Sequence, residues 1–211
     1  METTFGLPIL LQKILLSCGI LAALLYAGTD ILAGLLKTGY RFDTQSAGVL
    51  SAIGSSTRPL VLPLNITAGA LMIVFAVGVW FSVGHNWALR VMACLLAGNA
   101  LLSILAVAFF PWRLGEAASS PANRLNVMFM APAVILFVLA LGFGAVGNQN
   151  WLRWFSIGVL VLFLVGFILG MLAGKLAPGR NPGSSVGVQE RTMIYSEMLW
   201  MALQAILLLQ V

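Results

Sequence analysis

Two acidic side chains lie inside otherwise apolar segments of this 211-residue chain. Asp30 follows "LLYAGT", and Glu197 stands in "IYSEMLWMA". A carboxylate that faces lipid costs about 2.5–3.5 kcal/mol on insertion scales, so such groups turn inward and find partners. Asp30 and Glu197 are therefore candidates for holding the polar head of a bound molecule, and candidates for a general acid.

Amide side chains accompany the two carboxylates. Asp30 and Glu197 each lie about six residues inside a predicted helix, which corresponds to a depth of roughly 9 Å at about 1.5 Å per residue. Asn65 opens the second apolar run and Asn126 precedes the fourth, on the same side of the membrane, whereas Asn99 lies deeper in the third. Because these groups come from different helices at similar depth, we expect a polar pocket between the helices.

The last apolar run carries polar groups at helical spacing. Glu197, Trp200, Met201 and Gln204 are spaced i, i+3, i+4 and i+7, and so share one predicted helix face. An alternative is that these polar residues satisfy one another and only set the helix register. The candidate binding residues are Asp30, Arg41, Arg58, Asn65, Asn99, Asn126, Glu190, Arg191, Glu197 and Trp200.

A long polar segment, "GYRFDTQSAGVLSAIGSSTRPL", joins the first two apolar runs. Within it Thr44–Ile53 mixes apolar and polar residues, which favours a short amphipathic helix capped by Asp43 or Thr44. A helix this short needs a surface to rest on, and the mouth of the bundle supplies one. We expect a lid, with Arg41 and Arg58 beside the mouth as cations for a lipid phosphate or as partners of acidic residues.

The composition identifies the solvent around these elements. Hydrophobic residues make up 61% of the chain and charged residues 8%, whereas soluble domains have about 25% charged residues. Each membrane crossing requires about 20 apolar residues. The sequence thus predicts an all-α integral membrane protein, residues 1–211 forming one transmembrane domain with six helices. We place the helices at Ile14–Leu36, Val61–Phe81, Ala88–Phe110, Val127–Val146, Trp151–Leu172 and Met193–Leu209.

The basic residues favour membrane lipids as partners. The net charge is +5, from eleven basic and six acidic residues. The basic residues are scattered between apolar runs, which argues against nucleic acid and for lipid headgroups. Six helices put both termini on one side. Eight basic residues then lie on the side of loops one, three and five, and three lie on the terminus side. Taken literally, the positive-inside rule puts the long loops in the cytoplasm, unless Arg41, Arg58 and Arg191 serve the polar site instead.

Three motifs follow one another in a set order: Ser51–Gly54, Arg58–Pro59, and the pair Glu190–Arg191 opening the last helix. In this order they resemble bacterial and archaeal membrane proteins catalogued as domain of unknown function 998, over essentially the whole chain. The resemblance implies a prokaryotic cytoplasmic membrane and, from the basic residues of relatives, cytoplasmic termini. Many relatives carry a histidine where this chain has Asn126, and the family carries over no activity.

Standard catalytic constellations are missing from the sequence. The single histidine, His85, stands in a short turn on the side opposite the polar residues. There is no Cys/His/carboxylate set with zinc spacing and no glycine-rich phosphate loop. We therefore expect neither a metal nor a cofactor.

Three hypotheses remain. In the first, the protein binds, and in one version transports, a lipid or other hydrophobic small molecule whose polar head is held by the charged site residues. In the second, it is an intramembrane enzyme that acts on a lipid or isoprenoid, with Asp30 or Glu197 as general acid. In the third, it is a structural subunit of a membrane complex. We favour the first, and the sequence leaves the ligand and the oligomeric state unspecified.

Overall fold

The computed structural model describes residues 8–117, 119–149, 151–176 and 186–210, with only the backbone of residues 169–176. Within these ranges it has six long helices that are apolar enough to span a membrane, and one short helix between the first two. The helices are α1 (Ile9–Leu36), α2 (Gly48–Ser51), α3 (Arg58–Ser82), α4 (Trp87–Phe109), α5 (Pro121–Gly147), α6 (Trp151–Leu176) and α7 (Val186–Leu209).

The prediction of an all-α bundle with six spanning helices is confirmed. The main differences are at helix starts, since α5 and α7 begin six and seven residues before the predicted spans. The added residues, PANRLN and VGVQERT, include several polar side chains, so hydropathy does not mark them as part of the spans. The start of α5 is set by a side-chain cap, in which Oγ of Ser120 accepts the N–H of Asn123 at 3.2 Å. The early start of α7 puts Glu197 half-way along its helix, deeper than predicted.

The six spanning helices form a closed ring. The main contacts follow the cyclic order α1, α3, α4, α5, α6, α7 and back to α1. This order brings the first and last helices together, although they are far apart in sequence. A ring of six helices encloses an interior that is lined by all of them.

Large apolar side chains fill the half of this interior nearer the termini. Fully buried members of this core are Phe75, Met92, Leu96, Phe137 and Trp200. Asn65 of α3 and Asn99 of α4 lie nearer the long loops than these side chains do. The interior of the bundle is therefore closely packed on the side of the termini and less closely packed on the side of the long loops.

Glycines let α1 and α3 approach each other closely. A Cβ atom on Gly19 would lie 2.8 Å from the ring of Phe75, and one on Gly78 would lie 2.8 Å from Cβ of Leu15. In lipid such close packing replaces the hydrophobic drive that is absent between helices.

The first long loop contains a shorter helix than predicted. The sequence predicts a helix over Thr44–Ile53, but the structure forms only Gly48–Ser51. The predicted cap is wrong as well, because Asp43 is bound to Arg41 at 2.9 Å and the helix begins after Ala47. The rest of the segment consists of turns packed on the bundle.

Hydrogen bonds join the loops on each side of the membrane. The N–H of Ile53 in loop one donates to the carbonyl of Trp112 in loop three at 2.8 Å, and the N–H of Leu114 donates back to Ile53 at 3.1 Å. On the other side Asn86 donates its side-chain amide to the carbonyl of Gly147 at 2.9 Å, joining the two short turns. The loops thus alternate between two sides, as six crossings require.

Candidate functional site

A cavity of about 310 Å³ lies within the ring of helices. Residues from all six spanning helices and from loop one line it. The volume lies at the lower end of the range for small-molecule sites, which is about 300–1,000 Å³. Five methionines contribute to its walls: Met72, Met130, Met193, Met198 and Met201. Because methionine is unbranched and flexible, such walls adapt to the shape of an apolar ligand.

Polar side chains interrupt the apolar lining at a few places. Four of the predicted site residues line the cavity, namely Asn65, Asn99, Glu190 and Glu197, and Ser103 adds a hydroxyl. Asn99 is buried, and its Nδ2 donates to the carbonyl of Ala133 at 3.0 Å. Among the described residues, the carboxylate of Glu197 has no hydrogen-bond or ion-pair partner. The cavity therefore combines an apolar body with a few polar anchor points.

The predicted polar face of the last helix is divided between two environments. Glu197 and Met201 line the cavity. Trp200 points toward α6, where its Nε1 donates to Oγ of Ser156 at 2.7 Å. Oε1 of Gln204 accepts a hydrogen bond at 3.1 Å from the side-chain amide of Asn148, the residue that follows α5. Trp200 is thus part of the packed core and does not line the cavity.

Asp30 lies outside the cavity, in a buried ion pair with Arg191. Nε and Nη2 of Arg191 donate to the two carboxylate oxygens at 2.9 and 3.1 Å, and the hydroxyl of Tyr195 donates to Oδ2 at 2.6 Å. The side chains of Asp30 and Arg191 are only 4% and 7% exposed. Such bidentate hydrogen bonding is the strongest form of contact between an arginine and a carboxylate. Both carboxylate oxygens of Asp30 accept hydrogen bonds from α7, so this side chain joins α1 to α7.

The same arginine fastens loop one to the top of α7. Nη1 of Arg191 donates to the carbonyls of Phe42 and Gln45 at 2.9 and 3.0 Å. The loop backbone also lies so close to Gly187 that a Cβ there would be 2.6 Å from the Gln45 carbonyl oxygen. Glu190 completes the attachment, because its Oε2 accepts the N–H of Ala47 at 3.1 Å. Loop one therefore covers this end of the bundle, with part of its short helix in the cavity wall.

Tyr40 links the ion pair to the loop. Its hydroxyl accepts from Nη2 of Arg191 at 2.5 Å and donates to the carbonyl of Ser46 at 2.9 Å. Burial raises the pKa of Tyr40, and the hydrogen bond from Arg191 opposes this effect. Because the pKa is raised overall, the phenol keeps its proton at neutral pH and remains a donor to the loop.

Arg41, Arg58 and Asn126 are not among the residues that line the cavity. Arg41 is exposed and pairs with Asp43 at 2.9 Å, a hydrogen-bonded contact that lowers the pKa of the Asp43 carboxyl. Arg58 donates to a backbone carbonyl of α2. Asn126 donates its Nδ2 to the carbonyl of Phe110 at 2.8 Å. These side chains shape the loops and helix ends.

Sequence reasoning missed several residues of the site. Tyr195 lies four positions after Arg191, and Ser103 lies four positions after Asn99, so both share a helix face with a predicted site residue. That spacing was the available signal. Nothing in the local sequence pointed to Tyr40, because its partner is 151 residues away in the chain.

The site supports binding chemistry more directly than metal chemistry. Within the described ranges, no group of three or more His, Cys, Asp or Glu side chains is placed to hold a metal ion. Glu197 faces the cavity without a partner among the described residues, whereas Asp30 is fully engaged. Of the two candidate acids, only Glu197 is placed to meet a molecule in the cavity.

The helices and the cavity define an integral membrane protein with six spanning helices. The chain belongs to the family described as "Protein of unknown function (DUF998)", whose model matches residues 20–207. This match agrees with the resemblance found in the order of its motifs. Comparisons with curated proteins and with solved structures give no match.

Proposed function

We propose that the protein binds a lipid or another hydrophobic small molecule inside the cavity between its helices. The observation that carries this proposal is the cavity itself, about 310 Å³ in volume and lined by all six spanning helices and loop one. A ring that served only to pack would gain contacts by closing such a space, because interior voids forfeit dispersion energy. A mostly apolar wall with few polar anchors is the usual form of a small-molecule site.

The cavity also bears on the competing hypotheses. A purely structural subunit has no need of an interior space, so the cavity favours binding over this alternative. An enzyme that used Asp30 as its acid is disfavoured, because Arg191 and Tyr195 occupy both carboxylate oxygens. The binding proposal requires only groups that already face the cavity.

Filling part of the cavity should weaken binding without disturbing the fold. Ser103 lines the cavity. We therefore expect Ser103→Phe to reduce retention of a copurifying hydrophobic molecule by about tenfold or more, which corresponds to about 1.4 kcal/mol. The measurement is native mass spectrometry of the purified protein combined with lipid analysis. Leu101→Phe is the matched control, since Leu101 lies on the same helix with 51% of its surface exposed. Equal retention by both variants would contradict the proposal.

We further propose that the protein lies in the cytoplasmic membrane of a prokaryote with both termini in the cytoplasm. Support comes from the resemblance to relatives with basic termini and turns, and from arginines near the long loops that have structural roles, such as Arg191 of α7. A green fluorescent protein fused after Val211 should fluoresce. Alkaline phosphatase should be inactive there and active when inserted beside Glu116 in loop three. The opposite pattern would reverse the orientation.

A further inference from the structure

Among the described residues, the charged groups in the cavity wall are all acidic. Two carboxylates line it, Glu190 and Glu197, both on α7 and two helical turns apart. The described residues of the wall include no lysine, arginine or histidine. A charged ligand group in the cavity would therefore face acidic side chains and no basic side chain of the described wall.

The buried amide of Asn99 presents an acceptor as well. It is 7% exposed, and its Nδ2 donates to the carbonyl of Ala133 at 3.0 Å. Because that carbonyl can only accept, the NH₂ end must face it, and the Oδ1 end is the remaining atom. No described residue donates to this oxygen. A hydrogen-bond donor on a ligand would supply a partner for this oxygen.

The three arginines predicted to serve the polar site are engaged away from the cavity. Arg191 is bound to Asp30, Arg41 is bound to Asp43, and Arg58 is bound to the backbone of α2. An anionic head in the cavity would face two acidic side chains and no cation of the described wall. A cation would supply the partner that an intramembrane carboxylate otherwise lacks.

We infer that the cavity binds amphiphiles with a protonated amine head, which contacts Glu197 and the Oδ1 atom of Asn99 while the apolar chain lies among the methionines. This inference rests on the proposed function and specifies the class of ligand. It replaces the expectation that loop arginines hold a lipid phosphate.

Three ligands with the same chain test the inference: dodecylamine, dodecanol and dodecyl phosphate. Their affinities are measured by thermal-shift titration of the purified full-length protein in a neutral maltoside detergent at pH 7, where an alkylamine is protonated. We expect dodecylamine to bind about tenfold or more tightly than dodecanol, with dodecyl phosphate the weakest. Glu197→Gln should weaken dodecylamine about 10–100-fold, since it removes a charged hydrogen bond, and should change dodecanol by about threefold or less.

Glu116→Gln is the matched control, because Glu116 is exposed in loop three and pairs with Arg113 at 3.6 Å. It should leave all three affinities unchanged. Should Glu197→Gln fail to fold, the order of the three ligands on the unmodified protein decides the question. Dodecyl phosphate binding as tightly as dodecylamine, or an unchanged amine-to-alcohol ratio in folded Glu197→Gln, would overturn the inference. Dodecanol binding that is lost in Ser103→Phe would then still support the proposed function. If none of the three ligands binds, both proposals fail.

Discussion

Replacing Arg191 with methionine is expected to lower the free energy of unfolding by about 3–5 kcal/mol, the usual cost of removing one partner of a buried ion pair. The variant leaves the carboxylate of Asp30, 4% exposed, with Tyr195 as its remaining donor. It also removes the donors to the loop carbonyls of Phe42 and Gln45. Loop one should therefore detach from α7 before the bundle unfolds.

Thermal unfolding and SDS titration of the purified protein measure this effect. The control is Arg41→Met, which breaks an ion pair whose side chains are 68% and 49% exposed. Because exposed ion pairs contribute little, this control should leave the unfolding temperature nearly unchanged. The double variant Asp30→Leu/Arg191→Met should recover part of the loss, because it removes the orphaned charge as well. Equal unfolding temperatures for Arg191→Met and Arg41→Met would show that the buried pair does not stabilise the fold.

Replacing Trp200 with alanine is the second change with a large expected effect, again about 3–5 kcal/mol. Trp200 is fully buried, donates to Ser156 at 2.7 Å, and packs edge-on against Phe137 with the ring centroids 5.7 Å apart. Between helices in lipid, the loss comes from dispersion contacts and the cavity left behind, since lipid is as apolar as the core.

Trp154→Ala is a control of the same chemistry, because Trp154 is 71% exposed on α6 and should contribute little to stability. Trp200→Phe should be intermediate, since it keeps part of the ring contacts and loses the remaining indole volume and the hydrogen bond to Ser156. Unfolding temperatures of the three variants, measured under the same detergent conditions, give the comparison. A loss in Trp154→Ala as large as that in Trp200→Ala would contradict this account of the core.

The sequence predicted that the acidic side chains turn inward, but it did not predict their partners. Asp30 and Glu197 were expected to share one pocket, yet Asp30 turns toward Arg191 and Glu197 lines the cavity. Arg191 lies before the predicted start of the last span, so its burial was not visible in hydropathy. The face predicted for Glu197 and Trp200 is split for a related reason. Residues three apart on a helix differ by about 60° in direction, enough to face different neighbours.

The amino-acid sequence alone determines that this chain is a six-span helical membrane protein, because an apolar run of about 20 residues must satisfy its backbone internally in lipid. The length and the hydropathy of an apolar run depend only on residues that are adjacent in the sequence, so both can be predicted without the tertiary structure. The tertiary structure decides which acid pairs with arginine, which faces the cavity, and where loop one attaches. These outcomes depend on how each helix is rotated about its axis, and that rotation is set by packing between segments as far apart as α1 and α7.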